Sequence, residues 1–121
     1  MRVQWAKTML ELAKSDEKIF AVTADTIGAP LETFSREFPQ RFIDVGVAEA
    51  NMVGISAGLA LCGKIPFAAT IAAFASMRCY EQIRTDVCYQ NLNVKIVGVG
   101  GGLKYGVLGA THHAIEDIAI M

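Results

Sequence analysis

Short apolar runs of strand length alternate with stretches of helical spacing along most of this chain. Four runs are predicted to be β-strands, at residues 19–24, 41–46, 65–70 and 94–99, and apolar residues between them recur every three or four positions. Strands that are apolar on both faces need cover on both sides, which parallel sheets obtain from their connecting helices. The alternation therefore predicts the α/β class, a mostly parallel sheet with helices on both faces.

Two of the predicted helices carry further expectations. Residues 48–61 are small or apolar almost throughout and include two glycines four positions apart. This pattern predicts a buried helix that packs closely against its neighbours. Residues 74–87 are predicted to form a single helix, in which Met77, Tyr80 and Ile83 lie along one apolar stripe.

The end of the sequence predicts a last helix that Thr111 caps and that continues to Met121. The apolar stripe of this predicted helix is cut off within the segment IAIM (118–121). A chain of 121 residues has room for one compact domain only. We therefore expect residues 1–121 to form one domain that is incomplete at its carboxyl end.

The composition is closer to that of a protein interior than to that of a surface. Hydrophobic residues make up 53% of the chain and charged residues only 19%, against a usual charged fraction of about 25%. We therefore expect another chain or domain to cover part of this one. The 11 basic and 12 acidic residues give a formal net charge of −1, so no partner is predicted among nucleic acids or membrane surfaces.

Neither a membrane span nor a secretory signal is predicted. The longest stretches without charge, residues 50–63 and 65–77, are shorter than the ~18–20 residues that cross a bilayer. Near the start, Lys7, Glu11 and Lys14 interrupt the apolar run that a secretory signal needs. A cytoplasmic location is the resulting expectation.

The three cysteines are predicted to be buried free thiols. Cys62, Cys79 and Cys88 are odd in number, lie in apolar segments and show no C-x-x-C spacing. These features disfavour disulfides and zinc ligands.

A ligand site is expected in the loops that follow the four predicted strands, because open parallel sheets bind ligands beyond the carboxyl ends of their strands. Glu49 begins the helix after the second of these strands and has aliphatic neighbours in the sequence. On the residues alone it is either a functional acid or an ordinary partner of the helix dipole.

Three other features of these loops are less specific. The glycine-rich segment 98–109 matches neither the dinucleotide fingerprint nor the P-loop, which favours a tight loop over a nucleotide site. A metal at His112, His113 and Glu116 would need a further ligand that the sequence does not clearly offer. Phe74 has the spacing of a core residue as well as the shape of a stacking platform.

Five segments of the sequence, taken together, form a pattern that is specific for one protein family. They are TAD (23–25), FPQRFIDVGVAEANMVGISAGLALCGKIPFAAT (38–70), MRCYEQIRTDV (77–87), NLNVKIVG (91–98) and GATHHAIEDIAIM (109–121). Together they resemble the pyrimidine-binding domain of transketolase, a thiamine-diphosphate enzyme that moves two-carbon ketol units between sugars. The resemblance covers almost the whole chain, looks closest to the carboxy-terminal subunit of split transketolases, and implies the thiamine-diphosphate-binding fold.

The resemblance implies roles for five side chains. Glu49, in VGVAEANM, matches the glutamate that hydrogen-bonds N1′ of the cofactor aminopyrimidine and so activates the cofactor. Phe74 matches the aromatic residue that stacks on the pyrimidine, and Asp25 lies in the loop near the cofactor. His112 matches a catalytic histidine near the substrate hydroxyls. Arg2 matches the arginine that takes the substrate phosphate.

The chain also departs from the family pattern. Gly100 stands where transketolases usually carry a histidine, and Leu108 stands where they carry an aspartate that reads a sugar hydroxyl. Ala29 replaces a common phosphate-contacting serine. Because Glu49 and Phe74 are unaffected, the resemblance implies that cofactor handling is kept and that the choice of acceptor is altered.

The segment with which the family's partner domain holds magnesium and diphosphate is absent from this sequence. The resemblance therefore implies a diphosphate-binding partner subunit that supplies the Mg²⁺ ligands for thiamine diphosphate. It also implies a homodimer or heterotetramer and a sugar phosphate substrate.

Other interpretations stay open. The chain could belong to an enzyme like deoxyxylulose phosphate synthase or to a keto-acid dehydrogenase, although AEANM, YEQIRTDV and HHAIEDIA favour transketolase. It could also be a non-catalytic remnant that only docks to a partner. A dinucleotide-binding domain is disfavoured by the register of the glycines.

Overall fold

The chain folds around a parallel sheet of four strands in the order β2–β1–β3–β4. The strands are β1 (Ile19–Thr23), β2 (Phe42–Asp44), β3 (Ile65–Ile71) and β4 (Lys95–Val99). The structure, a computed structural model, describes residues 2–26 and 29–121, with all their side chains except those of Arg2, Ala29 and Pro30.

Helices connect the strands. They are α1 (Arg2–Ser15), α2 (Ala29–Glu37), α3 (Glu49–Leu61), α4 (Ala72–Met77), α5 (Tyr80–Gln82) and α6 (Asp117–Ile120). A π-helical segment, Ile83–Cys88, continues α5, and 3₁₀ turns occupy Pro39–Arg41 and Gly106–Leu108. Within the described part of the chain, no helix has the length and apolarity needed to cross a bilayer.

Each face of the sheet has its own core, because successive side chains of a strand point to opposite faces. Ala21 of β1 packs with Met9 of α1 and Phe34 of α2 on one face. The next residue, Val22, packs with Met52 of α3 and with the π-helical segment on the other. The predicted fold class, a parallel sheet with helices on both faces, is confirmed.

The parallel arrangement brings the loops of the expected site to one edge of the sheet. In the registered pairs, the last residue of β1 lies beside the last residue of β2, and β3 and β4 likewise end side by side. Asp25 follows β1, Glu49 follows β2, Phe74 follows β3 and Gly100 follows β4. Residues that are 75 positions apart in the sequence therefore share this edge.

The prediction of one continuous helix over residues 74–87 is wrong, and so is its apolar stripe at two of three positions. The helix is interrupted after α4, and Met77 and Tyr80 are each 46% exposed. Ile83 is buried as predicted, and the other buried positions of this stretch are Ala75, Ser76, Cys79 and Val87. The stripe failed at Met77 and Tyr80 because small Ala, Ser and Cys side chains fill the interior here, and because the helix is interrupted between these two residues.

The predicted last helix is also wrong at its start. Helix α6 spans only Asp117–Ile120, and Thr111 lies in the preceding loop. The backbone of Ala114 pairs with Gly102 through two hydrogen bonds of 2.9 and 3.0 Å. This bridge keeps residues 111–115 from continuing a helix, so Thr111 caps nothing.

Of the three cysteines predicted to be buried, only Cys79 is buried. Cys62 directly follows α3 and Cys88 ends the π-helical segment, and both are exposed at these helix ends. Burial raises the pKa of the Cys79 thiol to about 11, and the nearby Glu49 carboxylate adds to the effect. The thiol donates a hydrogen bond to the carbonyl oxygen of Phe74 at 3.4 Å.

The difference in burial between Cys79 and the two exposed cysteines predicts selective alkylation. At pH 8 iodoacetamide should modify Cys62 and Cys88 and leave Cys79 unmodified, because the buried thiol stays protonated and out of reach. Intact-mass and peptide mass spectrometry would measure the sites. The same reaction in denaturant should add a third label. Fast labelling of Cys79 in the folded chain would contradict the described packing.

Candidate active site

The carboxylate of Glu49 is the buried acid of the site. Glu49 is the first residue of α3 and is only 4% exposed. A carboxylate in the first turn of a helix is stabilised by the free backbone N–H groups and by the helix dipole. The guanidinium of Arg78 adds a second stabilising contact, since its Nη1 donates a hydrogen bond of 2.9 Å to Glu49 Oε1.

The same guanidinium connects Glu49 to the ring of Phe74. The Cζ atom of Arg78 lies 3.9 Å from the centroid of the Phe74 ring, in a cation–π contact. Phe74 lies in α4, and residues four positions apart share one face of a helix, which places Arg78 over the ring. One guanidinium group therefore contacts both the carboxylate and the aromatic ring.

Part of the Glu49 carboxylate stays free for a ligand. Its second oxygen, Oε2, accepts no hydrogen bond from any residue that the structure describes. A free carboxylate oxygen beside an aromatic ring suits a flat heterocycle with a ring nitrogen at its edge.

His112 also contacts the ring of Phe74. The two rings are in edge contact, with centroids 5.1 Å apart and an interplanar angle of 66°. The hydroxyl of Thr111 forms a hydrogen bond of 2.9 Å with His112 Nδ1. Because Nδ1 is engaged, Nε2 is the ring nitrogen available to a ligand.

Asp44 organises the loops after β1 and β2. Its Oδ1 accepts hydrogen bonds from the backbone N–H of Asp25, at 3.0 Å, and of Gly46, at 2.9 Å. Asp25 has a positive φ of 49°, which is strained for a residue other than glycine. Nearby, the hydroxyls of Thr26 and Thr70 are 3.1 Å apart and join the loop after β1 to β3.

The structure links three of the candidate residues, Glu49, Phe74 and His112, and leaves Asp25 apart from them. Glu49 and Phe74 meet through Arg78, and Phe74 touches His112. Asp25 lies at the same edge of the sheet, but its side chain is exposed and makes no described contact with these three. The side chains of Arg2 and Ala29 lie outside the described part of the structure.

Sequence reasoning missed Arg78, although a signal was present. Arg78 is the only charged residue in the segment 65–80, and it follows Phe74 by four positions. A lone charge on an otherwise apolar stretch is a candidate partner for a buried charge elsewhere, and here that buried charge is Glu49. The roles of Asp44 and Thr111 depend on loop geometry, which has no such signal in the sequence.

Metal ligands are not grouped at this edge. Across residues 2–26 and 29–121, no cluster of three or more His, Cys, Asp or Glu side chains could hold a metal ion. The ring nitrogen Nε2 of His113 is buried and has no hydrogen-bond partner among the described residues.

Comparisons with known proteins agree on one family. The whole chain, residues 1–121, matches the family model described as the transketolase pyrimidine-binding domain. A curated relative, one of the subunits of the apulose-4-phosphate transketolase of Phocaeicola vulgatus, is 48% identical over 99% of this chain. The 1-deoxy-D-xylulose-5-phosphate synthase of Bacillus mycoides is 43% identical over 96% of it.

A solved structure gives the same result for the fold. The split-gene transketolase described as an inactive beta4 tetramer superposes with a TM-score of 0.84, at 43% identity and over 99% of this chain. The chain spans 38% of that structure's chain, 39% of the Phocaeicola subunit and 18% of the Bacillus synthase.

The Glu49–Arg78 pair predicts a specific loss of stability. Arg78→Met leaves a buried carboxylate without its partner, which costs several kcal/mol in a fully buried pair. Because Arg78 is half exposed, we expect a loss of about 1–3 kcal/mol in the free energy of unfolding, measured in urea.

Arg84→Met is the matched control. Arg84 is exposed, lies in the neighbouring π-helical segment and forms no ion pair with a described residue. Its substitution should change the free energy of unfolding by less than about 0.5 kcal/mol. In the double variant Glu49→Gln/Arg78→Met part of the loss should return. Equal stabilities for the two arginine variants would refute the importance of the pair.

Proposed function

Because the chain belongs to the family of transketolase pyrimidine-binding domains, we propose that it provides the pyrimidine side of a thiamine-diphosphate site. The complete enzyme transfers a two-carbon ketol unit between sugar phosphates. The observation that carries this proposal is the buried Glu49 carboxylate, which Arg78 binds through one oxygen and which keeps the other free. A buried acid held in this way is costly to maintain without a use.

The residues of the site fit the aminopyrimidine ring of this cofactor. The ring is flat and carries nitrogens at its edge, so it needs an aromatic surface and a carboxyl oxygen at one nitrogen. Phe74 offers the first and Glu49 Oε2 the second, and both lie on helices that begin at the carboxyl edge of the sheet. Asp25, on the loop after β1, is the third candidate for contact with the cofactor.

Thiamine diphosphate, when bound, supplies the electron sink that lets a carbon–carbon bond beside a carbonyl break. In our proposal Glu49 shares a proton with the pyrimidine atom N1′ and thereby sets the protonation state of the ring. Burial excludes water from this hydrogen bond and so strengthens it. Arg78 holds the carboxylate in place and is a positioning residue.

His112 is proposed to act on the substrate side. Its Nε2 hydrogen-bonds a substrate hydroxyl and holds or moves the proton there, while Thr111 fixes the ring through Nδ1. Arg2, by the family resemblance, is proposed to bind the substrate phosphate. Gly100 and Leu108 offer no polar side chain for the sugar, so the acceptor is recognised by other groups.

A partner chain is proposed to hold the diphosphate and Mg²⁺. Among the described residues no cluster of ligands is available for a metal ion. The names of two similar proteins support an enzyme that is divided between chains. One is named as a transketolase subunit, and the other is described as a split-gene transketolase in an inactive beta4 tetramer. We propose that this chain works with such a diphosphate-binding subunit. The complete enzyme is proposed to be a homodimer or a heterotetramer.

A synthase that joins a keto-acid-derived unit to an aldose phosphate is the second candidate function, favoured by the similarity to 1-deoxy-D-xylulose-5-phosphate synthase. Product analysis separates the two candidates. Ketol transfer uses a ketose phosphate as donor, whereas the synthase uses pyruvate and releases carbon dioxide. A chain that binds its partner but adds neither turnover nor cofactor affinity would instead be a docking remnant.

The central test removes the acid of Glu49. In the complex of this chain with its diphosphate-binding partner, Mg²⁺, thiamine diphosphate and a ketose phosphate, Glu49→Gln should lower kcat by about 10²–10⁴-fold, the usual contribution of general acid–base catalysis. A coupled assay of the released aldose phosphate would measure it.

The control for this test is Glu11→Gln, which removes an exposed carboxylate on α1. It should leave kcat unchanged. Wild-type turnover in the Glu49→Gln complex would refute the proposed function.

A second variant tests the stacking surface. Phe74→Leu keeps an apolar side chain of similar bulk but removes the aromatic face, whose stacking is worth about 0.5–1.5 kcal/mol. We expect the Kd of thiamine diphosphate for the assembled complex to rise about 3–10-fold, measured by calorimetry. Leu12→Ala, an exposed position ten residues beyond Arg2 on α1, should leave this Kd unchanged. An unaltered cofactor Kd in Phe74→Leu would exclude stacking on this ring.

A further inference from the structure

The ring of Tyr105 occupies the space beside Gly100. Gly100 has a positive φ of 77° and directly follows β4. A Cβ at this position would overlap Cε2 of Tyr105 and would lie 2.9 Å from its Cζ and 3.0 Å from its Cδ2. Such approaches are closer than real side chains allow, so glycine at 100 is needed for the tyrosine to lie where it does.

The loop that carries Tyr105 also carries His112 and is closed at its base. The backbone bridge between Gly102 and Ala114 ties the two ends of the loop together. Inside it, the rings of Tyr105 and His112 are in edge contact, with centroids 6.2 Å apart. Because His112 also touches Phe74, the three rings are linked by successive edge contacts, which begin at the proposed cofactor surface.

The ring of Tyr105 is partly buried, while its hydroxyl stays accessible to solvent and has no hydrogen-bond partner among the described residues. The hydroxyl is therefore free to bond a ligand. In a site that must recognise a polyhydroxy chain, a tyrosine beside the substrate histidine offers both a donor and an acceptor.

We propose that Tyr105 is a specificity-determining residue that hydrogen-bonds a hydroxyl of the sugar chain beyond the transferred ketol unit. This proposal rests on the function proposed above. Phe74 is the proposed cofactor surface and Tyr105 is linked to it through His112, so we place Tyr105 beside the part of the substrate farther from the bond that breaks. Tyr105 thus provides the polar contact that neither Gly100 nor Leu108 can make.

The first test is Tyr105→Phe in the complex with the partner subunit. Loss of one neutral hydrogen bond should raise KM for a ketose phosphate donor about 3–10-fold, with little change in kcat. Hydroxypyruvate donates the same ketol unit and has no further sugar hydroxyls, so its KM should not change. The calorimetric Kd of thiamine diphosphate should also equal the wild-type value.

The second test is Gly100→Ala, whose methyl group would displace the Tyr105 ring. It should raise KM for the ketose phosphate as Tyr105→Phe does, and the double variant should lose no more than either single variant. Gly63→Ala is the matched control for backbone strain. Gly63 has a φ of 76° and open space around it, and it lies between α3 and β3, away from the site.

The outcomes separate the two proposals. If the wild-type complex turns over a ketose phosphate and Tyr105→Phe keeps the wild-type KM, the role of Tyr105 is refuted and the proposed function stands. If Tyr105→Phe raises KM for hydroxypyruvate or the Kd of the cofactor equally, the tyrosine is structural and the specificity role is likewise refuted. A wild-type complex without any ketol transfer would overturn both proposals.

Discussion

The ion pair between Glu49 and Arg78 determines how the rest of the site is arranged. A carboxylate that is 4% exposed is tolerated only with a charged or strongly hydrogen-bonding partner. Arg78 supplies that partner while half of its own side chain stays in solvent, which limits the cost of dehydrating it. The guanidinium also covers part of the Phe74 ring, so one charge holds the acid and the aromatic surface together.

The sheet explains why such distant residues can cooperate. All four strands run in the same direction, so every loop that leaves a strand's carboxyl end lies on the same edge. The candidate residues are then distributed over the segments that follow the strands: Glu49 after β2, Phe74 after β3, and His112 in the long loop after β4. The Asp44 side chain, through its Oδ1, and the backbone bridge from Gly102 to Ala114 restrain the loops at this edge.

Much of this arrangement could be predicted from the sequence, and the failures have clear causes. Apolar periodicity sufficed to locate the four strands. The motif resemblance named Glu49, Phe74 and His112, which the structure links through Arg78 and through ring contacts, and their roles stay predictions. The phase of the helix after β3 could not be predicted, because Ser76 and Cys79 form its buried side while larger apolar residues face solvent. The position of Tyr105 depends on a loop closure between residues distant in sequence, which no local pattern encodes.

The π-helical segment, Ile83–Cys88, fixes how many residues can separate the residues at the candidate site from those that pack in the core. A π-turn contains one residue more than an α-turn, so it absorbs a single extra residue without extending the helix. Upstream of it, Arg78 contacts both Glu49 and the Phe74 ring; downstream, Val87 packs in the core. A deletion of one residue here would preserve only one of these two orientations, so insertions and deletions in this segment trade the geometry of the candidate site against the packing of the core.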